Sequence, residues 1–103
     1  MRVGVMIEGQ EGLTWERWLR LIDAAEDMGY ESLCRSDHLT SLAGDSKRPS
    51  LETWTSLTLV AVRTRRIRFG PMVSPVTFYQ PALLAKMAVS LHTLSNGRMD
   101  LGI

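Results

Sequence analysis

The sequence predicts a parallel α/β protein, the N-terminal portion of a TIM (βα)8 barrel containing about three and a half βα units. Three observations lead there. Short apolar runs alternate with amphipathic stretches, strand then helix, three times over, and Met99-Asp100-Leu101-Gly102-Ile103 reads as a fourth strand just beginning. Strands that recur after single helices must run parallel, with right-handed crossovers. An open doubly wound sheet would give the same order. However, Gly9 and Gly12 do not make the three-glycine phosphate fingerprint of that fold, and no P-loop is present, so the barrel is favoured.

The first strand is carried by Val3, Val5, Met6 and Ile7, and Glu8-Gly9-Gln10-Glu11-Gly12 follows as a loop. Thr14 is placed to cap a helix in which Trp15, Trp18, Leu19, Ile22, Ala25 and Met28 recur at helical spacing, and Gly29 suits the left-handed residue that ends it. Tyr30 to Ser36 reads as the second strand, with Cys34 a buried thiol within it. A loop of about a dozen residues follows, a length that more often serves function than connection alone. Ser50 can cap a second helix from Leu51 to Thr64 with Trp54, Leu57, Val60 and Ala61 inward. Arg63, Arg65 and Arg66 cluster at its end, where the helix dipole favours cations, and read as a solvated helix end rather than a phosphate site. Ile67 to Val73 is the third strand. Pro81 opens a third helix with Leu84, Met87, Ala88, Leu91 and Leu94 on one face, stopped by Ser95-Asn96-Gly97. His92 falls among its polar positions.

Composition narrows the function classes. The chain is 45% hydrophobic and 22% charged, which suits an ordinary globular domain, and its net charge of +1 gives no electrostatic footprint for nucleic acid. No run approaches the roughly 18 apolar residues of a membrane span, and the N-terminus lacks a signal-peptide pattern. The lone Cys34 cannot form an internal disulfide. The expectation is a cytoplasmic protein acting on a small organic molecule, with no membrane or nucleic-acid partner.

In a barrel the chemistry lies at the carboxyl ends of the strands. Three places meet that rule: Glu8, Ser36-Asp37-His38, and Met72-Val73-Ser74-Pro75. A carboxylate beside an imidazole suits proton transfer next to a bound ligand. Taken alone, Ser36-Asp37-His38 also suits a turn with His38 packed above it, Glu8 a solvated loop acid, and Met72 and Val73 simple barrel lining.

The ordered set changes this balance. Ser36-Asp37-His38, Arg65-Arg66-Ile67-Arg68-Phe69-Gly70, Val73-Ser74-Pro75-Val76-Thr77-Phe78, Pro81-Ala82-Leu83-Leu84-Ala85-Lys86, and Leu94-Ser95-Asn96-Gly97-Arg98 before Leu101-Gly102 together resemble the luciferase-like monooxygenase superfamily over nearly the whole chain. The Asp-His pair most resembles the branch using the deazaflavin coenzyme F420, with the FMN-dependent monooxygenases as the near rival. The resemblance implies a hydride passing between the ring and an organic substrate, with Asp37 contacting the deazaflavin and His38 as acid or base. It also implies a non-proline cis peptide around Met72-Val73-Ser74, bulging against the ring, and a homo-oligomer at full length. Tyr79-Gln80 stands where relatives often carry Arg-His, and His92 where they often carry an acid. Residues 1–103 are expected to be one piece of a single barrel domain, truncated at strand four. Since roughly 250 residues normally close such a barrel, a non-catalytic half-barrel that pairs with another chain is the rival of a different class.

Overall fold

Each strand is followed by a helix that packs back on the sheet. A computed structural model describes every residue from Met1 to Ile103 and gives β1 (Gly4–Ile7), α1 (Trp15–Asp27), β2 (Ser32–Arg35), α2 (Thr53–Arg63), β3 (Arg68–Pro71) and α3 (Pro81–Leu94). The sheet order is β1-β2-β3, all parallel, as the fold prediction requires. The anticipated fourth strand is present as one parallel bridge from Met99 to Phe69, and Asp100 N–H donates to the Phe69 carbonyl at 2.8 Å.

The register alternates two kinds of row across the sheet. Val5, Leu33 and Phe69 form one row, and Leu33 and Phe69 join the core beneath the helices. Met6, Cys34 and Gly70 form the next row on the opposite face, the inward side of a barrel. Cys34 is therefore half-buried rather than enclosed, a correction to the buried thiol expected from its strand position. Burial still pushes the thiol's pKa up.

Local chemistry explains the helix boundaries and corrects several of them. Thr14 caps α1 by accepting from Arg17 N–H at 3.3 Å, and Trp18, Ile22 and Ala25 are buried at the expected spacing. Trp15 and Met28, assigned to the same stripe, are exposed because they sit in the first turn and just beyond the last. Glu52, not Ser50, caps α2: its two carboxylate oxygens accept from Trp54 N–H at 2.9 Å and Thr55 N–H at 2.6 Å. A carboxylate at this position satisfies two otherwise unpaired amides at once. Pro81 opens α3 as predicted, with the Gln80 side chain accepting from Leu83 N–H, while Leu94 at its end is exposed.

The strands are shorter than their apolar patterns. Arg65, Arg66 and Ile67 donate their backbone N–H groups to the Glu26 carboxylate of α1, so this turn is held by a side chain instead of a ladder. Arg63 pairs with Asp23 and the Arg66 guanidinium donates to the Tyr30 and Glu26 carbonyls, engaging two of the three clustered arginines within the fold. β3 ends at Pro71, which leaves Met72 and Val73 outside the strand that was expected to contain them. Arg98 seals the far end, donating to Ala61, Thr64, Ile67 and Ser95 carbonyls while lying 5.7 Å from the Phe69 ring centroid.

Candidate functional site

The loops after β2 and β3 meet. Asp37 follows β2 and is 2% exposed, yet it is a carboxylate, so its burial requires partners. They come from the loop after β3. Ser74, itself fully buried, donates its hydroxyl to Asp37 Oδ2 at 2.7 Å, and the Tyr79 phenol donates to the same oxygen at 2.8 Å. Oδ1 receives neither bond. Ser74 N–H is held in turn by the Gly102 carbonyl at 2.9 Å.

Immediately before Ser74, the Met72–Val73 peptide is cis, within the stretch where the resemblance located such a bond. Met72 and Val73 are 51% and 46% exposed, so they present an apolar shelf beside the buried Ser74-Asp37 pair. Asp37 and Ser74, two of the candidate residues, are thus in direct contact, with Met72 and Val73 preceding Ser74 in the chain. His38 is half-buried and lines a hollow of about 140 Å³ with Asp37, Leu39, Ser50, Leu51, Glu52 and Thr53. Glu8 is exposed and accepts from the Gln10 side chain at 2.6 Å. Gln10 also accepts from Ser36 Oγ at 2.5 Å, so Glu8 reaches the site only through this relay. His92 is exposed on α3, with Nδ1 3.2 Å from the Met99 carbonyl.

Three residues of this site went unnominated. Tyr79 was noted only as a departure from the familiar pattern, but it supplies half of Asp37's hydrogen bonding and stands edge-on to Trp54, with ring centroids 6.4 Å apart. Burial, with the bond to Asp37, pushes its phenol well above the ordinary value, so it remains a neutral donor. Glu52 joins the wall of the hollow. Its burial would raise its pKa, but bonds from Thr55 and Trp54 and the charge of Arg35 outweigh this and hold it below the usual carboxylate range. Arg35 lies fully buried underneath. A charged residue interrupting an apolar strand was the available signal, since arginine is rarely enclosed without a dedicated network.

A larger cavity of about 720 Å³ opens between α2 and α3, lined by Trp15, Trp54, Leu59 and Met87 among others. It contains none of the nominated residues and shares only Glu52 with the Asp37 hollow. Asp37 and its contacts with the loop after β3, not cavity size, mark the candidate site. No helix is long and apolar enough to cross a membrane.

A parallel βα array with its polar cluster at the carboxyl ends of the strands is the arrangement of barrel enzymes. The chain matches the luciferase-like monooxygenase family over residues 1–103 and belongs to it. It is 36% identical over 92 residues to 4-hydroxyprotoasukamycin monooxygenase of Streptomyces nodosus subsp. asukaensis, covering 89% of this chain and 24% of that protein. It is 35% identical over 102 residues to the F420-dependent hydroxymycolic acid dehydrogenase of Mycobacterium tuberculosis, covering 98% of this chain and 28% of that one. The coenzyme F420 dependent tetrahydromethanopterin reductase of Methanopyrus kandleri superposes with a TM-score of 0.80 at 25% identity, over 97% of this chain and 26% of the other. The chain spans about a quarter of the length of the curated relatives it matches.

Proposed function

We propose that the protein is an oxidoreductase transferring a hydride between the deazaflavin coenzyme F420 and a small organic substrate. The observation that carries this reading is the junction of the two rim loops, where Ser74 and Tyr79 both donate to Oδ2 of a buried Asp37 beside the apolar Met72-Val73 shelf. These residues fit a flavin-type ring. A flat apolar face can lie on the shelf, and Asp37 Oδ1 can accept from a polar ring edge. When bound, the coenzyme supplies the hydride donor or acceptor.

The chain's own residues do the rest. Asp37 orients the ring, because two donors on Oδ2 fix the carboxylate plane and so fix where Oδ1 points. Met72, Val73 and Ser74 support the ring face and keep water from it. His38, half-buried on the rim, carries the imidazole that gives or takes the proton accompanying hydride movement.

Titration of the full chain with F420 and with FMN, followed by fluorescence, tests the reading. F420 binding is expected. His38→Ala should then lower hydride-transfer turnover by about 10²–10⁴-fold, the range for a positioned acid or base. Unchanged turnover would reduce His38 to packing. The second reading, an FMN-dependent monooxygenase, draws on the 36% identity to a monooxygenase. Tight FMN binding with no response to F420 would favour it and overturn the first. Binding of neither would leave the half-barrel that pairs with another chain. A cytoplasmic homo-oligomer is proposed for the whole protein.

A further inference from the structure

Arg35 closes β2 with its side chain at zero exposure, in register with Ile7 and Pro71 on the row turned toward the helices. An apolar residue would fill this place more cheaply, since a guanidinium taken out of water needs every donor satisfied. The structure gives each of its three nitrogens one acceptor. Nε donates to the Ser36 carbonyl at 3.2 Å, one terminal nitrogen to Ser56 Oγ at 2.7 Å, and the other to the Leu51 carbonyl at 2.8 Å. Thr53 Oγ1 donates to the same Ser36 carbonyl at 3.2 Å. The guanidinium lies 5.9 Å from the Trp18 ring centroid, and a Cβ on Gly9 would run into it. No carboxylate is bonded to it. Burial pulls the guanidinium's pKa down, against the opposing influence of Asp37, Glu52 and Tyr79 nearby.

Ser36 and Leu51 are the residues on either side of the loop running from Asp37 to Ser50. One fork therefore grips the loop where it leaves the sheet and where it returns, and ties both points to α2 through Ser56. The geometry points to Arg35 as a positioning residue: a buried fork that clamps both ends of the Asp37–Ser50 loop, setting Asp37 against the loop after β3 and His38 in the adjoining hollow. This inference rests on the reading of that rim as the cofactor end. It assigns Arg35 to the geometry of the site rather than to overall stability. Well-packed apolar replacements of buried charges often leave stability intact.

Four variants of the full chain test it: Arg35→Met, Arg35→Lys, Ser56→Ala, and Val60→Ala as a core control on α2. Amide hydrogen exchange is read at Leu42 and Arg48 in the loop and at Leu33 and Cys34 in β2, beside F420 affinity and the melting temperature. Arg35→Met and Ser56→Ala should speed loop exchange by about tenfold, a change of the size one lost hydrogen bond gives, with β2 protection unmoved. Arg35→Lys should fail to restore the loop, because an ammonium cannot reproduce the fork. F420 affinity should fall about tenfold in both, out of proportion to any loss of melting temperature, and hold within about twofold in Val60→Ala. If Arg35→Met does not fold, Ser56→Ala decides alone. Loop exchange or affinity that merely follows melting temperature across all four variants would overturn the proposal. A wild-type chain that binds no F420 yet shows the exchange pattern would uphold the clamp and defeat the cofactor reading.

Discussion

Tyr79→Phe removes one hydroxyl and leaves the ring in place against Trp54, so its effect isolates the bond to Asp37. A hydrogen bond to a charged group contributes about 1.5–3 kcal/mol. Tyr79 is only half-buried, which places its loss near the lower figure, about 1.5 kcal/mol. Ser74→Ala removes a bond whose two partners are both buried, and about 2–3 kcal/mol is expected. The informative quantity is the double variant. Either donor alone still satisfies Oδ2, whereas losing both strips a buried carboxylate of its protein donors, so the double loss should exceed the sum by about 1 kcal/mol. Denaturant unfolding of the four members of this cycle gives the answer, and additivity within about 0.3 kcal/mol would refute a shared carboxylate oxygen. The same phenol sets an alkaline signature. Burial, then the bond to Asp37, raises its pKa above the ordinary value of about 10, so the folded chain keeps a proton that the unfolded chain sheds. Its contribution is complete below about pH 10 and fades as the pH climbs toward the folded value, with a ceiling of about 1.4 kcal/mol per pH unit that solvent access reduces. Tyr79→Phe should flatten that alkaline decline, and an identical decline in both proteins would refute the assignment.

Arg98→Ala should cost about 2–4 kcal/mol in thermal or chemical melts, because the last carbonyls of α2 lose a half-buried cap, and Arg98→Lys should recover less than half of it. Full recovery by lysine would show that charge alone matters there. Gly70→Ala should destabilise by about 3 kcal/mol and loosen exchange at Asp100, since a Cβ would collide with the Asp100 carbonyl. Wild-type stability in this variant would mean that the 98–102 segment does not lie against β3. The Ser41 hydroxyl, with Leu42 N–H and Arg48, holds the Glu11 carboxyl below its usual range. Its hold on the loop is therefore present above about pH 4.3 and lost as the pH falls through the folded value. Acid-protease cleavage between Ser41 and Arg48 should rise more steeply with falling pH in wild type than in Glu11→Gln, and parallel profiles would count against Glu11 as the group holding this loop.

The order of elements was legible because helices and parallel strands announce themselves locally. Thr14 before the Trp18-Ile22-Ala25 stripe and Pro81 before Leu84-Ala88-Leu91 each couple a cap to a period, and both survive in the structure. Strand ends were less legible, since Ile67 is an apolar β-branched residue that suits a strand, but its amide bonds to the Glu26 carboxylate, 41 residues earlier. Asp37 and Ser74 could be nominated singly, because each follows a strand. That they touch depends on how the adjoining strands β2 and β3 align, and no local pattern encodes this. Tyr79 and Arg35 escaped for the same reason: their partners lie on other elements, so one reads as loop and the other as a flaw in a strand.

Gly102 joins the far end of the chain to the site. Its carbonyl accepts from Ser74 N–H, and a side chain in its place would press on Val73 and the Pro71 carbonyl. The residues leaving β3 and those leaving the fourth strand position therefore behave as one mechanical piece. A substitution or a bound molecule that shifts the backbone at Leu101 or Ile103 has a direct lever on the surface where a planar ligand would rest. Variation distant in sequence from Asp37 thereby reaches its carboxylate through the Ser74 backbone.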